Sequence, residues 1–327
     1  MKENNKKVTI KVPARFHIDV MNIQKLEEGK VGGGGIGIAI GCNLNIYAET
    51  IESENDVIES NKPKLVKFYI ELLRKYLKFN KRFYIRCQTD KELKSHSGMG
   101  SNALIQIGII YAVNYLMERP LNEKELMNFL KNNYFEEENG VITRDVFCTG
   151  VAHNTSIHGG LCFISEEGNL LYSKKMPKNI DIGVIKVKIN DIFKMENLNK
   201  DEIVVNLRKN RDSEQGIRNK ESLIKNVIIK DLKENKYKSF IEGMKKFSKE
   251  DDSVAMSKRC KINNLQYDEF CEIIENIGNT FVRISSNSPY IYVITDSFTK
   301  IKKVCEKYDI NVKKYKIDNT GIEINEV

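Results

Sequence analysis

The chain has 327 residues, 41% hydrophobic and 30% charged, enough for about two domains of roughly 150 residues, each with its own core. Its apolar runs stop short of the ~18 residues that cross a bilayer, and the opening MKENNKKVTIKV has no apolar secretory segment, so a cytoplasmic, non-membrane protein is expected. The net charge of +8 comes from 53 basic and 45 acidic residues mixed along the chain, with no arm or stripe of like charge, which speaks against nucleic acid and suits an enzyme acting on anionic small molecules.

KVTIKVPARFHIDV alternates and predicts a strand, with Pro13 at a break or edge position. VGGGGIGIAIGCNLNIYAE is a glycine cluster running into an apolar strand. Residues 62–79 predict an amphipathic helix: Leu65, Phe68, Tyr69, Leu72, Leu73 and Tyr76 share a face, and Pro63 falls in the first turn. RFYIRCQ alternates again, with Phe83, Ile85 and Cys87 on one face. A helix is expected from the run after Met99 to about Leu116, and another over 122–133, where Asn122 and Glu125 have capping-box spacing. IHGGLCFIS and NLLYSKKM predict two strands around a turn at Glu167-Gly168-Asn169.

A boundary is expected near 170–180, giving domains of 1–175 and 176–327. The second opens with strand DIGVIKVKI, carries charged helical segments between about 217 and 277, and closes with strand PYIYVIT, helix FTKIKKVCEKY and strand VKKYKI. That order predicts helices on one antiparallel sheet. The seven cysteines, Cys42, Cys87, Cys148, Cys162, Cys260, Cys271 and Cys305, form no C-x-x-C pair; neither a disulfide framework nor a zinc site is expected.

SHSGMGSNALIQIGIIYAV, residues 95–113, places small polar residues and two glycines before an apolar helix. The first N–H groups of a helix are unpaired and carry the positive end of its dipole, and glycines let a phosphate approach them. Ser97, Gly98, Met99, Gly100, Ser101 and Asn102 are the candidate cradle. Ser97, Ser101 and Asn102 add side-chain donors or an oxygen for magnesium; His96 flanks the run. The same residues also suit a tight turn capping an ordinary helix. Ala103 stands where a Rossmann fingerprint needs its third glycine, and no G-K-[ST] follows.

PARFH (13–17), GGGGIGIAI (32–40), HSGMGSNA (96–103) and TGVAHNTSIHGG (149–160) follow one another in an order that resembles the GHMP kinase superfamily, and within it β-ribofuranosylaminobenzene 5′-phosphate synthase and its relatives. Gly34, Gly35, Gly37, Ile38 and Ala39 match the second element. RISSNSPYIYVITD is similar to the family's late segment through Ser285, Ser286, Pro289 and Tyr292. Departures are Asn22 where the family carries Asp, Asn287 and Ser288 for Trp-Gly, and Ala103 and Leu104 for a polar pair. The resemblance implies a two-domain α/β (α+β) GHMP-kinase-like fold with its site between the domains. It also implies a magnesium-dependent enzyme that joins phosphoribosyl pyrophosphate to a small (hetero)aromatic carboxylic acid with loss of carbon dioxide and pyrophosphate. Its partners would be small molecules, with a homodimer allowed.

On that reading Arg15, His17 and His158 are catalytic. Gly34, Gly35, Thr149, Asn154, Ser285 and Ser286 line the substrate, and Asp19 is a metal candidate. Thr155 and Ser156 offer further polar contacts. Strand alternation puts Arg15 and His17 on one face, so both can point into the cleft. An ATP-dependent GHMP kinase is the alternative. Sugar kinases of the superfamily carry a carboxylate two residues after the glycine of the third motif, where this chain has Thr149-Gly150-Val151-Ala152; a kinase would need Asp145 or Asp19 instead. A non-catalytic sensor on the same fold is the third reading.

Overall fold

The computed structural model describes residues 6–91, 93, 99–138, 140–186, 214–249, 261–284 and 290–327. Strand β1, Lys7–Asp19, lies between two neighbours because its alternation works as expected: Val8, Ile10 and Val12 are buried to within 1% exposure while Lys7, Thr9 and Lys11 face outward. It pairs antiparallel with β2, Gly35–Ile51. Pro13 sits at a bulge, where the register jumps from Pro13–Asn43 to Ala14–Ile40. A residue with no N–H is tolerated there.

Helix α1, Pro63–Leu77, follows the short β3, Val57–Glu59, and starts with its proline in the first turn. β4, Arg82–Thr89, adds to the free side of β2 and pairs parallel with β3. Helix α2, Ser101–Leu116, is buried nearly all round, and α3, Glu123–Asn132, carries both hydrogen bonds of the Asn122/Glu125 capping box. A ribbon of β5, Glu136–Glu138, and β6, Val141–Thr143, leads to α4, Val151–His158. β7, Leu161–Ile164, pairs with the start of β2, and β8, Leu170–Lys174, pairs with β7.

One expectation fails here. Ile157 and His158 do not belong to the strand; they are the last turn of α4, between Gly150 and Gly159, both at positive φ. Asn154, Thr155 and Ser156 are buried as deeply as apolar residues, so this helix presents no apolar stripe.

The second half forms a four-stranded antiparallel sheet, in the order β12 (Thr280–Ile284), β13 (Tyr290–Thr295), β9 (Asp181–Lys186) and β14 (Val312–Tyr315). Its helices are α5 (Glu214–Leu223), which runs through a π turn into α6 (Ile229–Lys233), then α7 (Tyr237–Lys249), α8 (Tyr267–Glu275) and α9 (Phe298–Lys307). A small ribbon, β10 (Lys261–Ile262) with β11 (Leu265–Gln266), precedes α8. This is the helices-on-one-sheet layer expected from the sequence.

The two sheets share one core. Phe16 of β1 stacks on Tyr292 of β13 with ring centroids 5.6 Å apart, and Ile182, Phe240 and Phe281 join the cluster that contains Val8 and Ile107. The last strand, β15 (Glu323–Glu326), leaves the second layer and pairs with Val8–Lys11 of β1. The six described cysteines, all but Cys260, are free thiols, and no described helix is long and apolar enough to cross a membrane.

Candidate active site

Helix α2 begins at Gly100, whose φ of 78° is a conformation that glycine adopts without cost. A Cβ there would stand 3.1 Å from Cζ and Nη2 of Arg15. The guanidinium therefore packs directly on the residue that opens the helix. The Arg15 amide also donates to the Met99 carbonyl at 3.4 Å, tying β1 to the turn. Met99 itself is 2% exposed and packs in the core, so it offers backbone rather than side chain. Ala103 and Leu104 are wholly buried core residues. Ser97, Gly98 and His96 lie outside the described residues, as do Ser285 and Ser286.

Replacing Gly100 with alanine is expected to cost about 1–2 kcal/mol, the penalty of an L-residue in left-handed backbone, seen as a lower midpoint in urea. An unchanged midpoint would mean that the turn relaxes freely.

Arg15 is surrounded by groups that sequence reasoning did not single out. Burial pulls its pKa down, while the neighbouring Tyr134 and Glu136 push it back up; an arginine so far above neutrality stays cationic. Tyr134 donates its hydroxyl to Glu136 and meets the His153 ring edge-on at 5.6 Å. His153 is buried, and its Nε2 lies 2.7 Å from Oε1 of Gln106. Gln106 uses its NH2 to donate to the carbonyls of Leu130 and Asn133. Its oxygen must then accept, so His153 carries its proton on Nε2. Burial, followed by the charge of Arg15, lowers the His153 pKa to about 3. No local signal marks these residues: they meet only because α2, α4 and β5 converge.

His17 and Asp19 are both held in buried contacts. His17 is 8% exposed, with Nε2 3.0 Å from the Asp19 carbonyl. Burial first, and Arg15 second, lower its pKa to about 3. It is a neutral imidazole at pH 7. The Asp19 carboxylate is engaged by Arg283 of β12, Nη2 to Oδ2 at 3.1 Å, and accepts from the Val20 amide at 2.8 Å. Beside it Tyr292 donates to the Ile18 carbonyl at 3.2 Å. Asp19 is thus one half of an ion pair joining the two layers. Among the described residues no three of His, Cys, Asp and Glu gather into a metal site. Asn22, at the position where the resemblance expects Asp, donates to Glu166 at 2.7 Å and accepts from the Gln24 amide.

The candidate glycines and the polar residues of α4 sit in close packing. A Cβ on Gly34 would lie 2.1 Å from the Ser165 carbonyl oxygen, and one on Gly35 2.1 Å from that of Asp19. Both glycines allow close backbone passage. Thr149 accepts from the Val151 amide at the start of α4. Asn154 donates to the carbonyls of Gly150 and Gly168, at 2.8 and 3.1 Å, and so clamps the β7–β8 turn. His158 is exposed at the C-terminal end of α4, about 10 Å along the helix from its start. Thr155 and Ser156 are fully buried. The predicted residues brought into contact are Arg15 and Gly100, with Ser101 and Asn102 next in the chain.

Asn102 is 8% exposed, and its Oδ1 accepts from the ammonium of Lys62, which is equally buried. Lys62 immediately precedes α1, and its Nζ also donates to the Glu137 carbonyl at 3.3 Å. The Glu137 carboxylate in turn accepts from the Leu65 amide in the first turn of α1 at 3.1 Å.

Residues 64–148 match the family model described as GHMP kinases N terminal domain. No curated protein matches the chain in sequence. Among solved structures, it is similar to mevalonate diphosphate decarboxylase from Staphylococcus aureus, with a TM-score of 0.67 at 13% identity over 99% of both chains. Homoserine kinase from Cytophaga hutchinsonii gives a TM-score of 0.63 at 15% identity, over 99% of this chain and 98% of that one. The mevalonate diphosphate decarboxylase from Enterococcus faecalis, described by its ATP binding, gives 0.65 at 11% identity over 99% of this chain and all of that one. Both layers thus share the fold of these kinases and decarboxylases, and residues 64–148 match the family model of the GHMP kinases N terminal domain.

Proposed function

We propose that the protein is an ATP-dependent small-molecule phosphotransferase, with the nucleotide phosphates seated on the first turn of α2. The observation that carries this reading is the Arg15 guanidinium packed on Gly100. A fixed cation stands beside the unpaired amides and positive dipole of a helix start, the combination that holds a polyphosphate. The similarity in fold to homoserine kinase and to an ATP-binding decarboxylase supports nucleotide over sugar diphosphate.

The alanine at position 152 does not defeat this reading. Phosphoryl transfer passes through a loose transition state, and catalysis is chiefly positioning and charge stabilisation, with little covalent work for a base. Arg15 would neutralise charge on the transferring group, and the α2 amides would orient it. Magnesium would be carried mainly by the phosphates, since it keeps several waters and takes few protein oxygens. The Ser101 hydroxyl, at the first position of α2, is the side chain suited to it. Asp19, committed to Arg283, is not.

One observation favours the phosphoribosyl pyrophosphate-dependent, decarboxylating transferase as second reading: α4 offers Ala152 where a sugar kinase would place its carboxylate. Loss of a carboxyl group restores aromaticity there without a strong base.

A single assay separates the readings. The protein is incubated with magnesium and either labelled ATP plus a panel of alcohols, or phosphoribosyl pyrophosphate plus aromatic carboxylates. Alcohol-dependent ADP formation is expected. Acceptor-dependent release of pyrophosphate and carbon dioxide would replace this proposal with the second reading, and binding without turnover would make the protein a sensor. Arg15→Met is expected to weaken ATP binding at least about tenfold, the equivalent of one charge-assisted hydrogen bond. Calorimetry showing unchanged affinity would remove Arg15 from the site.

A further inference from the structure

Lys62 is an expensive residue where it stands. Its ammonium is taken out of water, with the residue 8% exposed, and a buried cation must be repaid by well-made bonds. It also lies at the start of α1 and reaches the start of α2, two places where helix dipoles disfavour a positive charge. The first-turn amide of Leu65 is capped by Glu137, not by the Lys62 side chain.

The bond it makes is informative about Asn102. An ammonium only donates. The atom facing Lys62 must therefore be the carboxamide oxygen, and the NH2 is the group that the amide retains for other partners. Asn102 is the second residue of α2, in the same turn whose backbone amides are unpaired. Had the amide been free to flip, it could equally have turned its oxygen toward an incoming ligand and opposed an anion.

We propose that Lys62 is a positioning residue for the phosphate site: by engaging the Asn102 oxygen it fixes that amide as a donor to a phosphate oxygen and closes it to a metal ion. This rests on the nucleotide reading given above. Of the two roles the sequence leaves open for Asn102, a donor or an oxygen for magnesium, this proposal takes the donor. Lys62 acts through Asn102 and does not itself touch the ligand. The ligand class is an inorganic or nucleoside polyphosphate, recognised by donors at the start of α2 with Arg15 alongside.

The test is a double-mutant cycle with Lys62→Met, Asn102→Ala and both together in the full chain. Calorimetry with ATP and with inorganic tripolyphosphate gives affinity, and thermal denaturation reports folding. Each single variant is expected to bind about tenfold more weakly, and the double variant no more weakly than either single, because both remove one arrangement. Losses that multiply to about a hundredfold would show two independent roles and overturn the proposal. So would wild-type affinity in Asn102→Ala, which keeps Lys62 and reports even where Lys62→Met folds poorly. A second readout is metal dependence. If Asn102 is closed to the metal, the magnesium concentration that half-saturates ATP binding stays unchanged in Asn102→Ala, and a several-fold rise would overturn the assignment. Failure of the nucleotide reading itself looks different: the wild-type protein would then bind neither ATP nor tripolyphosphate.

Discussion

Asp19→Ala is expected to lower the stability of the whole protein by about 3–5 kcal/mol, the cost of leaving one half of a buried ion pair without the other. The Asp19 and Arg283 side chains are only 6% and 9% exposed. They come from β1 and β12, the two sheets that share one core. The carboxylate also anchors the Val20 amide, and the Tyr292 hydroxyl closes the seam one residue away. Urea denaturation would report the loss as a lower midpoint. The double replacement Asp19→Leu with Arg283→Met is expected to recover much of it, because an apolar pair of similar volume pays no desolvation cost. A single variant within 1 kcal/mol of wild type would mean that water reaches the pair.

Acid sensitivity is the second large effect. His17 and His153 are buried with pKa values lowered to about 3, against about 6.5 in an unfolded chain. Below pH 6.5 the unfolded state takes up protons that the folded state refuses. Stability therefore stays whole above that pH and is lost as pH falls toward 3. By pH 5 each histidine is expected to cost about 2 kcal/mol, about 4 together. Urea midpoints at pH 7 and pH 5 would measure it. The His17→Asn, His153→Gln double variant should lose markedly less stability between those two pH values. An equal loss in the variant would place the acid sensitivity on carboxylates instead.

Much of the fold was legible because it is written locally. The alternation of Val8, Ile10 and Val12, the proline that opens α1 and the Asn122/Glu125 box each act within a few residues. Helix α4 was not legible: its polar Asn154, Thr155 and Ser156 face protein, so periodicity gives no helix there. The contact of Arg15 with Gly100 joins two motifs that the sequence shows only separately, and the other half of the Asp19 pair lies 264 residues away in the chain. Sequence shows that an imidazole is present, and only burial decides whether it can hold a proton.

The strand β15 has a consequence for how the molecule is made. Val8 finds its partner at Glu326, so during synthesis one flank of the first sheet stays open until residues 323–326 have been made. An open flank of this kind is a template for pairing with other chains. The outward-facing Lys7 and Lys11 on β1 are the residues placed to keep that flank solitary while it waits.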